Sequence, residues 1–581
     1  MTKDEVTTRA QAVLVAGAVG DALGWPHERR DRVLSAAPTA DGERTGVFFS
    51  WTRRAGSRFH PLFEEIGAGE YSDDTQLVIA TARARLAADG RWVERLTDIE
   101  LPFFLQYERG AGASVKRSCR AWTRRKYPWK GTQDDTAKYF AAGANGVAMR
   151  IAPHVLVHHA DTDFAALAGD ITRDAVLTHG HPRALVGAMA YAYALWVSMR
   201  PAQPIRYGWL IEELVSGVNA WSVLDESVLD RRWLQLADQH HAGSYRKAWT
   251  KAVEETTVML EQASQTLRLG AVGTPKSFAD AVGGTTTKFN GSGTVSAVLA
   301  VFLAAWSAAD PQRGLRTAAT LKGADTDTIA SMTGGLLGAA LGGDWLGAAG
   351  QEVQDSSLLR RLASELIRPM HPSSQLTLPL EHQIPTKNKL TDIFSQLNPG
   401  NKITLPNGHE ARVEDIAELR SEARPMQRLR LRTKDGQTLY FIHAEPRGER
   451  DKPASPGEGT TPSSRHTETT SGHFSPEVTG IDIQTTDLKR TRFVLEQILD
   501  FFPIDIGAGW VRYRGLFVAV GSSKRIVDTP VARIQIRSRL PAEVRSRAES
   551  AGLTPHKLQR DEGEAFEIEL APGVLALVTH R

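Results

Sequence analysis

Across the first 350 residues, apolar positions recur at three- and four-residue intervals, most regularly at about 75–88, 183–198, 293–308 and 329–341. That period lines one side of an α-helix, and alternating runs of β-branched residues are almost absent. The pattern predicts an all-α domain over residues 1–370. Small residues crowd two of the expected helix faces, Gly187, Ala188, Ala190 and Ala192 in one and Ala297, Ala300, Ala304 and Ala305 in the other, which suits closely packed helices.

The period changes over 371–445. Asn407-Gly408 separates two extended runs, and alternating residues flank Asp435-Gly436, a strong hairpin signal. These residues predict a small α+β module. Residues 446–475 lack aliphatic side chains and are rich in Pro, Gly, Ser, Thr and charge, so a flexible linker is expected there. Residues 476–581 then spell strand, helix (488–501) and two strands, followed by strand, helix (541–551) and two strands. This doubled β-α-β-β pattern resembles the vicinal-oxygen-chelate, or glyoxalase-like, fold. Metal-binding members of that fold use His and Glu or Gln on particular strands. Here the first strands offer Gln484 and Gln535 and no histidine, so the resemblance implies a non-metal accessory or ligand-binding domain.

Composition narrows the chemistry. Seventy Lys and Arg against 67 Asp and Glu leave the 581-residue chain at +3, which argues for neither a nucleic-acid coat nor an acidic solvating tail. The single cysteine, Cys119, excludes an internal disulfide framework and any cysteine-ligated zinc or iron–sulfur site, leaving oxygen and imidazole as metal ligands. The N-terminal segment carries acids where a signal peptide has a basic region, and no apolar stretch reaches the ~20 residues of a membrane span. A soluble cytoplasmic protein is expected, with no membrane partner.

Four segments of the helical region concentrate polar chemistry: GDALGWPHE (20–28), YSDDTQ (71–76), GANGVAMRIAP (143–153) and GADTDTIA (323–330). Ser72-Asp73-Asp74-Thr75 and Asp325-Thr326-Asp327-Thr328 each place hydroxyls and carboxylates just before an apolar-periodic helix. Helix capping accounts for either motif alone, because Ser, Asp and Thr accept hydrogen bonds from the free N–H groups of a first turn. Capping needs one such oxygen, however, and adjacent acids repel each other unless a cation neutralises them. Oxygen ligands without thiolates are the preference of Mg²⁺ and Mn²⁺.

These segments, in this order, resemble the signature of the ADP-ribosylglycohydrolase family, which includes the dinitrogenase reductase-activating glycohydrolases, over about residues 9–345. The resemblance implies an all-α fold and two Mg²⁺ or Mn²⁺ ions in a cleft that takes the distal ribose. By motif position it implies Ser72, Asp73, Asp74, Asp325, Asp327 and Thr328 as metal ligands. It also implies Asn145, Gly146, Met149, His179 and Ser292 as substrate-binding residues. Ser72 stands where many relatives have threonine, and Ala144 replaces the usual glycine before Asn145. Glu28 falls where some members carry a catalytic or metal-gating glutamate. Asp21 is expected to hold a helix end, Arg150 to be structural, and Trp25, Tyr107 and Phe140 to belong to the core. For His179 a cap or core role weighs equally with a ribose or phosphate contact.

The implied reaction cleaves the glycosidic C1″ bond of ADP-ribose through an oxocarbenium-like state that an anionic wall stabilises. Asp74 or Glu28 is the expected general base or acid. The partner is an ADP-ribosylated protein, nucleic acid or small molecule, and the signature does not select the linkage. Two alternatives belong to other classes. One is a catalytically silent ADP-ribose or nucleotide sensor, disfavoured because Asp73, Asp74, Asp325, Asp327 and Glu28 are all present. The other is a nucleic-acid-associated protein using Arg420, Arg424, Arg428, Arg430 and Arg432 of the middle module, whose spacing fits a solvated face at least as well.

Overall fold

A computed structural model describes residues 2–444 apart from gaps, chiefly 29–32, 36–43, 57–60, 201–205 and 369–383, and between 481 and 580 mainly the strands. The chain forms two compact units, Met1–Pro453 and Ala454–Arg581.

The first unit is built on helices that are apolar nearly all round, as helices must be when neighbours cover every side. Lys3–Gly24 starts at a reciprocal Thr2/Glu5 capping box and runs inward. Its partner is Thr326–Leu341, from the other end of the helical region. Glycines permit this pairing. A Cβ on Gly20 would sit 2.1 Å from the Ala330 carbonyl oxygen, and one on Gly24 2.2 Å from that of Thr326. The contact is reciprocal, since Gly334 abuts the Ala16 carbonyl and Gly338 that of Ala12. Pro182–Ser198 and Gly293–Trp306 meet in the same way through Gly187 and Gly293. The small residues of these faces therefore act by letting backbones touch.

Residues 1–370 are helical but not all-α. Trp51–Gly56 and Pro61–Ile66 form an antiparallel ladder. Leu62 and Phe63 then pair with Ser421 and Arg420 of the long strand Glu410–Ser421. The resulting sheet has seven strands and runs Val33–Ser35, Trp51–Gly56, Pro61–Ile66, Glu410–Ser421, Met426–Thr433, Thr438–Ala444, with Lys402–Thr404 beside Glu410–Ser421. Among the described residues, only Leu62 and Phe63 of the early ladder pair with the later strands, across some 350 residues of sequence. Both expected turns are present: Asn407-Gly408 joins the strands at 404 and 410, and Asp435-Gly436 those at 433 and 438, with Gly436 at φ +97°. Val413, Leu429, Leu431, Leu439 and Phe441 of this sheet are buried in one hydrophobic cluster with the helices.

The second unit contains two four-stranded sheets. Ile481–Thr485, Pro503–Gly507, Trp510–Tyr513 and Leu516–Val520 form the first, and Ala532–Ser538, His556–Leu558, Ala565–Ala571 and Val574–His580 the second. In each, the first strand pairs in parallel with the fourth, and the order is first, fourth, third, second. Each repeat has one more strand than its sequence pattern suggests. Pro503–Gly507 opens on a proline and closes on a glycine, and His556–Leu558 is three residues long, so neither carries a full strand signal. The expected linker at 446–475 and helix at 488–501 lie outside the described residues, as does most of 541–551; Gln484 and Gln535 fall on strands whose side chains are not described. No described helix is long and apolar enough to cross a membrane.

Candidate active site

The helix Asp73–Arg85 is buried along its whole length and starts with two acids. Burying the free N–H groups of its first turn requires acceptors, and these are on hand. Asp21 accepts the N–H of Ser72 at 3.0 Å, the N–H of Thr75 at 3.0 Å and the Thr75 hydroxyl at 2.7 Å, while Ser72 Oγ faces the N–H of Asp74 at 3.4 Å. Asp21 thus holds the helix end, as expected. Because Asp21 and Ser72 serve the first turn, the carboxylates of Asp73 and Asp74 are not needed as caps.

Those carboxylates lie close to acids from both ends of the helical region. Glu28, Asp325 and Asp327 each offer an oxygen within 4.8 Å of the others. Burial raises Asp74 well above the usual carboxylate range, and the charges of Asp21, Asp73 and Asp325 add to the effect. Asp327 is raised likewise by burial, then by Glu28, Asp325 and Asp74. Asp73 is raised by burial, then by Glu108, Asp21 and Glu28. Asp74 Oδ2 is buried without a hydrogen-bond donor among the described residues, although the nearby Thr328 hydroxyl favours its charged form. Thr328 also donates its N–H to Asp327 at 2.9 Å. Acids this crowded hold their protons or take up a cation, and a set made only of carboxylate and hydroxyl oxygens fits a hard divalent ion.

Asn145 reaches this cluster. Its side-chain amide donates to Asp325 Oδ2 at 2.8 Å and to Ser296 Oγ at 3.0 Å, so it orients an acid. Gly146 lies against His179, whose Cε1 would be 3.1 Å from a Cβ at that position. His179 is buried, with Nδ1 2.8 Å from the Thr178 hydroxyl and Nε2 without a hydrogen-bond partner among the described residues. Burial, followed by Arg150 and Arg117, lowers its pKa to about 3, keeping the ring neutral. Met149 is buried nearby in the chain, and Ser292 pairs with Ala144 in an isolated antiparallel bridge. Arg150 is structural: it binds Asp174 at 2.6 Å, the Gly146 carbonyl at 2.6 Å and the Thr178 hydroxyl at 2.9 Å, bracing the glycine turn from behind. Trp25, Tyr107 and Phe140 are all buried, Trp25 edge-on to Trp51 with centroids 5.3 Å apart.

Sequence reasoning passed over the segment 108–110. Glu108 faces Asp73, and its Oε2 accepts the N–H groups of Gly110 at 3.2 Å and Ala111 at 3.0 Å. Gly110, at φ +121°, leaves 2.8 Å between its absent Cβ and Asp73 Oδ1, so only glycine fits beside that carboxylate. An isolated Glu-Arg-Gly in sequence carries no periodicity that signals either role. Of the middle-module arginines, Arg428 donates to the Glu65 carbonyl at 2.6 Å, Arg430 pairs with Glu414 at 3.1 Å, Arg432 with Asp355 at 3.4 Å, and Arg420 lies over Phe63. Arg424 is outside the described residues.

The sequence model of the ADP-ribosylglycohydrolase family matches residues 2–375. The chain therefore belongs to the ADP-ribosylglycohydrolase family, and its helical N-terminal region is the family's hydrolase domain. Among solved structures, a chain described as "ADP-ribosylglycohydrolase-related protein complex" is 19% identical, with 63% of this chain and 98% of that chain covered and a TM-score of 0.39. No curated protein matches the chain.

Proposed function

We propose that this protein hydrolyses the C1″ glycosidic bond of ADP-ribose attached to a protein side chain, nucleic acid or small molecule, using two Mg²⁺ or Mn²⁺ ions. The observation that carries this reading is the meeting of Glu28, Asp325 and Asp327 beside Asp73 and Asp74, with Asp73, Asp74 and Asp327 raised by burial and by the neighbouring acids. Ser72, Asp73, Asp74, Asp325, Asp327 and Thr328 supply the oxygens that would hold the ions. Bound there, a divalent cation supplies Lewis-acid polarisation and a water of lowered pKa.

The chain's own residues do the rest. Asn145 holds Asp325 in place, and Ser72 and Asp21 fix the helix end that presents Asp73 and Asp74. Gly146 beside His179, Met149 in the turn that follows, and Ser292 bridged to Ala144 are the residues assigned to the ADP-ribose. The anionic cluster stabilises the positive charge that grows on the ribose ring as the bond breaks. Asp74, whose buried Oδ2 has no hydrogen-bond donor among the described residues, or Glu28 moves the proton.

For the second unit we keep the accessory, glyoxalase-like reading, supported by the same strand order in both sheets. The cytoplasm suits a chain whose one cysteine, Cys119, is buried and unpaired. The test is to incubate the full chain with Mg²⁺ and ADP-ribosylated arginine, serine and nucleic-acid substrates, and to measure free ADP-ribose. Release from at least one class, lost on chelation, is expected. Release from none, or release that survives chelation, contradicts the proposal.

A further inference from the structure

The buried helix Asp73–Arg85 carries acids at one end and Arg83 and Arg85 at the other. The hairpin of Met426–Thr433 and Thr438–Ala444 grips it at both ends. At the far end, Arg83 pairs with Asp435 at 2.6 Å and donates to Gln437. Just ahead of the acids, the Tyr440 hydroxyl donates to Glu70 Oε1 at 2.6 Å, and Arg109 Nη1 donates to Glu70 Oε2 at 2.7 Å. The Arg109 guanidinium lies 4.1 Å from the Tyr440 ring centroid. The Arg109 carbonyl accepts the N–H of Asp73 at 3.1 Å, and the Arg109 N–H donates to Gln76 at 3.1 Å. A second line of contacts runs in parallel. Thr438 donates its N–H and its hydroxyl to Asp355, each at 2.8 Å, and the Tyr71 hydroxyl donates to the same carboxylate at 2.7 Å. Residues 70 and 71 directly precede Ser72-Asp73-Asp74.

We infer that the strand Thr438–Ala444, beyond the 2–375 span that the family model matches, is a working part of the active site. Thr438 and Tyr440 are positioning residues. They fix the approach to Asp73 and Asp74 for cation binding through Asp355–Tyr71 and through Glu70–Arg109. The inference rests on the cation site proposed above. A carboxylate already held in its ligating position binds an ion more tightly than one that must be ordered on binding, and buried hydrogen-bond chains hold best where water cannot compete. Neither residue touches the acids directly, so their effect falls on affinity rather than on proton transfer.

The test uses the full chain. Tyr440→Phe removes one hydroxyl and leaves the ring beneath Arg109, while Thr438→Val removes a hydroxyl and keeps the backbone N–H. Val413→Ala, buried in the same sheet but off both lines of contact, reports general weakening of the sheet. The Kd for Mn²⁺ is read from the electron paramagnetic resonance of the free ion, alongside the metal-free melting temperature. Tyr440→Phe and Thr438→Val are each expected to weaken Mn²⁺ binding about 5-fold or more. Val413→Ala should lower the melting temperature and leave the Kd unchanged. Unaltered Mn²⁺ affinity in both hydroxyl variants, or an equal loss in Val413→Ala, overturns the inference. Failure of the unsubstituted chain to bind Mn²⁺ removes the cation-site reading itself, and this inference with it.

Discussion

Asp325 stands 251 residues from Asp74 in sequence and its charge still helps to raise the Asp74 carboxyl, so each is informative as a single substitution. Asp325→Asn and Asp74→Asn keep nearly the same volume and remove one charge. Each is expected to lower ADP-ribose release to below about one hundredth of the unsubstituted rate, since outer partners of metal ligands alone cost 10–100-fold. Circular dichroism should remain unchanged, because the helix end is held by Asp21 and Ser72. A variant with full turnover would show that its carboxylate is not needed. Asn145→Ala removes the amide that orients Asp325 and should weaken Mg²⁺ binding about 10-fold while sparing the melting temperature more than Arg150→Ala does. Titration calorimetry beside a thermal scan checks both. The acids and Asn145 were visible in sequence because they sit in compact motifs. Glu108 and Gly110 were not, since their importance comes from where Asp73 lies in space.

At the scale of elements, the pairing of Lys3–Gly24 with Thr326–Leu341 brings Glu28 to Asp325 and Asp327. Gly24 and Gly334 sit where a methyl group would overlap a facing carbonyl by more than 1 Å relative to ordinary contact. Gly24→Ala and Gly334→Ala should therefore each destabilise the domain by about 1–3 kcal/mol, the usual cost of overpacking a close contact. Gly24→Ala should also lower cation affinity, because the displaced carbonyl belongs to Thr326, between two of the acids. Urea melts and calorimetry separate the two effects. Helical period marked the second of these helices, at about 329–341, and not the first, Lys3–Gly24. The strands at 51–66 escaped, and their link to the later sheet, through Leu62 and Phe63 to Ser421 and Arg420, is a pairing of a range that local pattern does not report.

At the scale of the molecule, the balance between burial and charge predicts how pH acts. Asp73, Asp74 and Asp327 have folded-state pKa values above their unfolded ones. The metal-free fold thus favours their protonated forms, and the stability they contribute is present below the ordinary carboxylate pKa and is lost as pH rises through the raised values. A divalent ion binds the ionised forms, so it competes with protons. The rise in melting temperature caused by Mg²⁺ should be larger at about pH 7.5 than at about pH 5. An equal rise at both would separate cation binding from these acids. The change of texture after residue 370 was legible in sequence, as were both hairpin turns. The union of 402–444 with the helices in one core was not, because it depends on Leu429, Leu439 and Phe441 finding apolar neighbours hundreds of residues away.

The most direct measurement is a count of Mn²⁺ bound per chain in the unsubstituted protein, in Asp74→Asn and in Asp325→Asn. If acids from both ends of the domain share the ions, the unsubstituted chain binds about two, and either substitution alone removes at least one. If one variant binds the full number with unchanged affinity, the two acidic clusters do not form a common cation site.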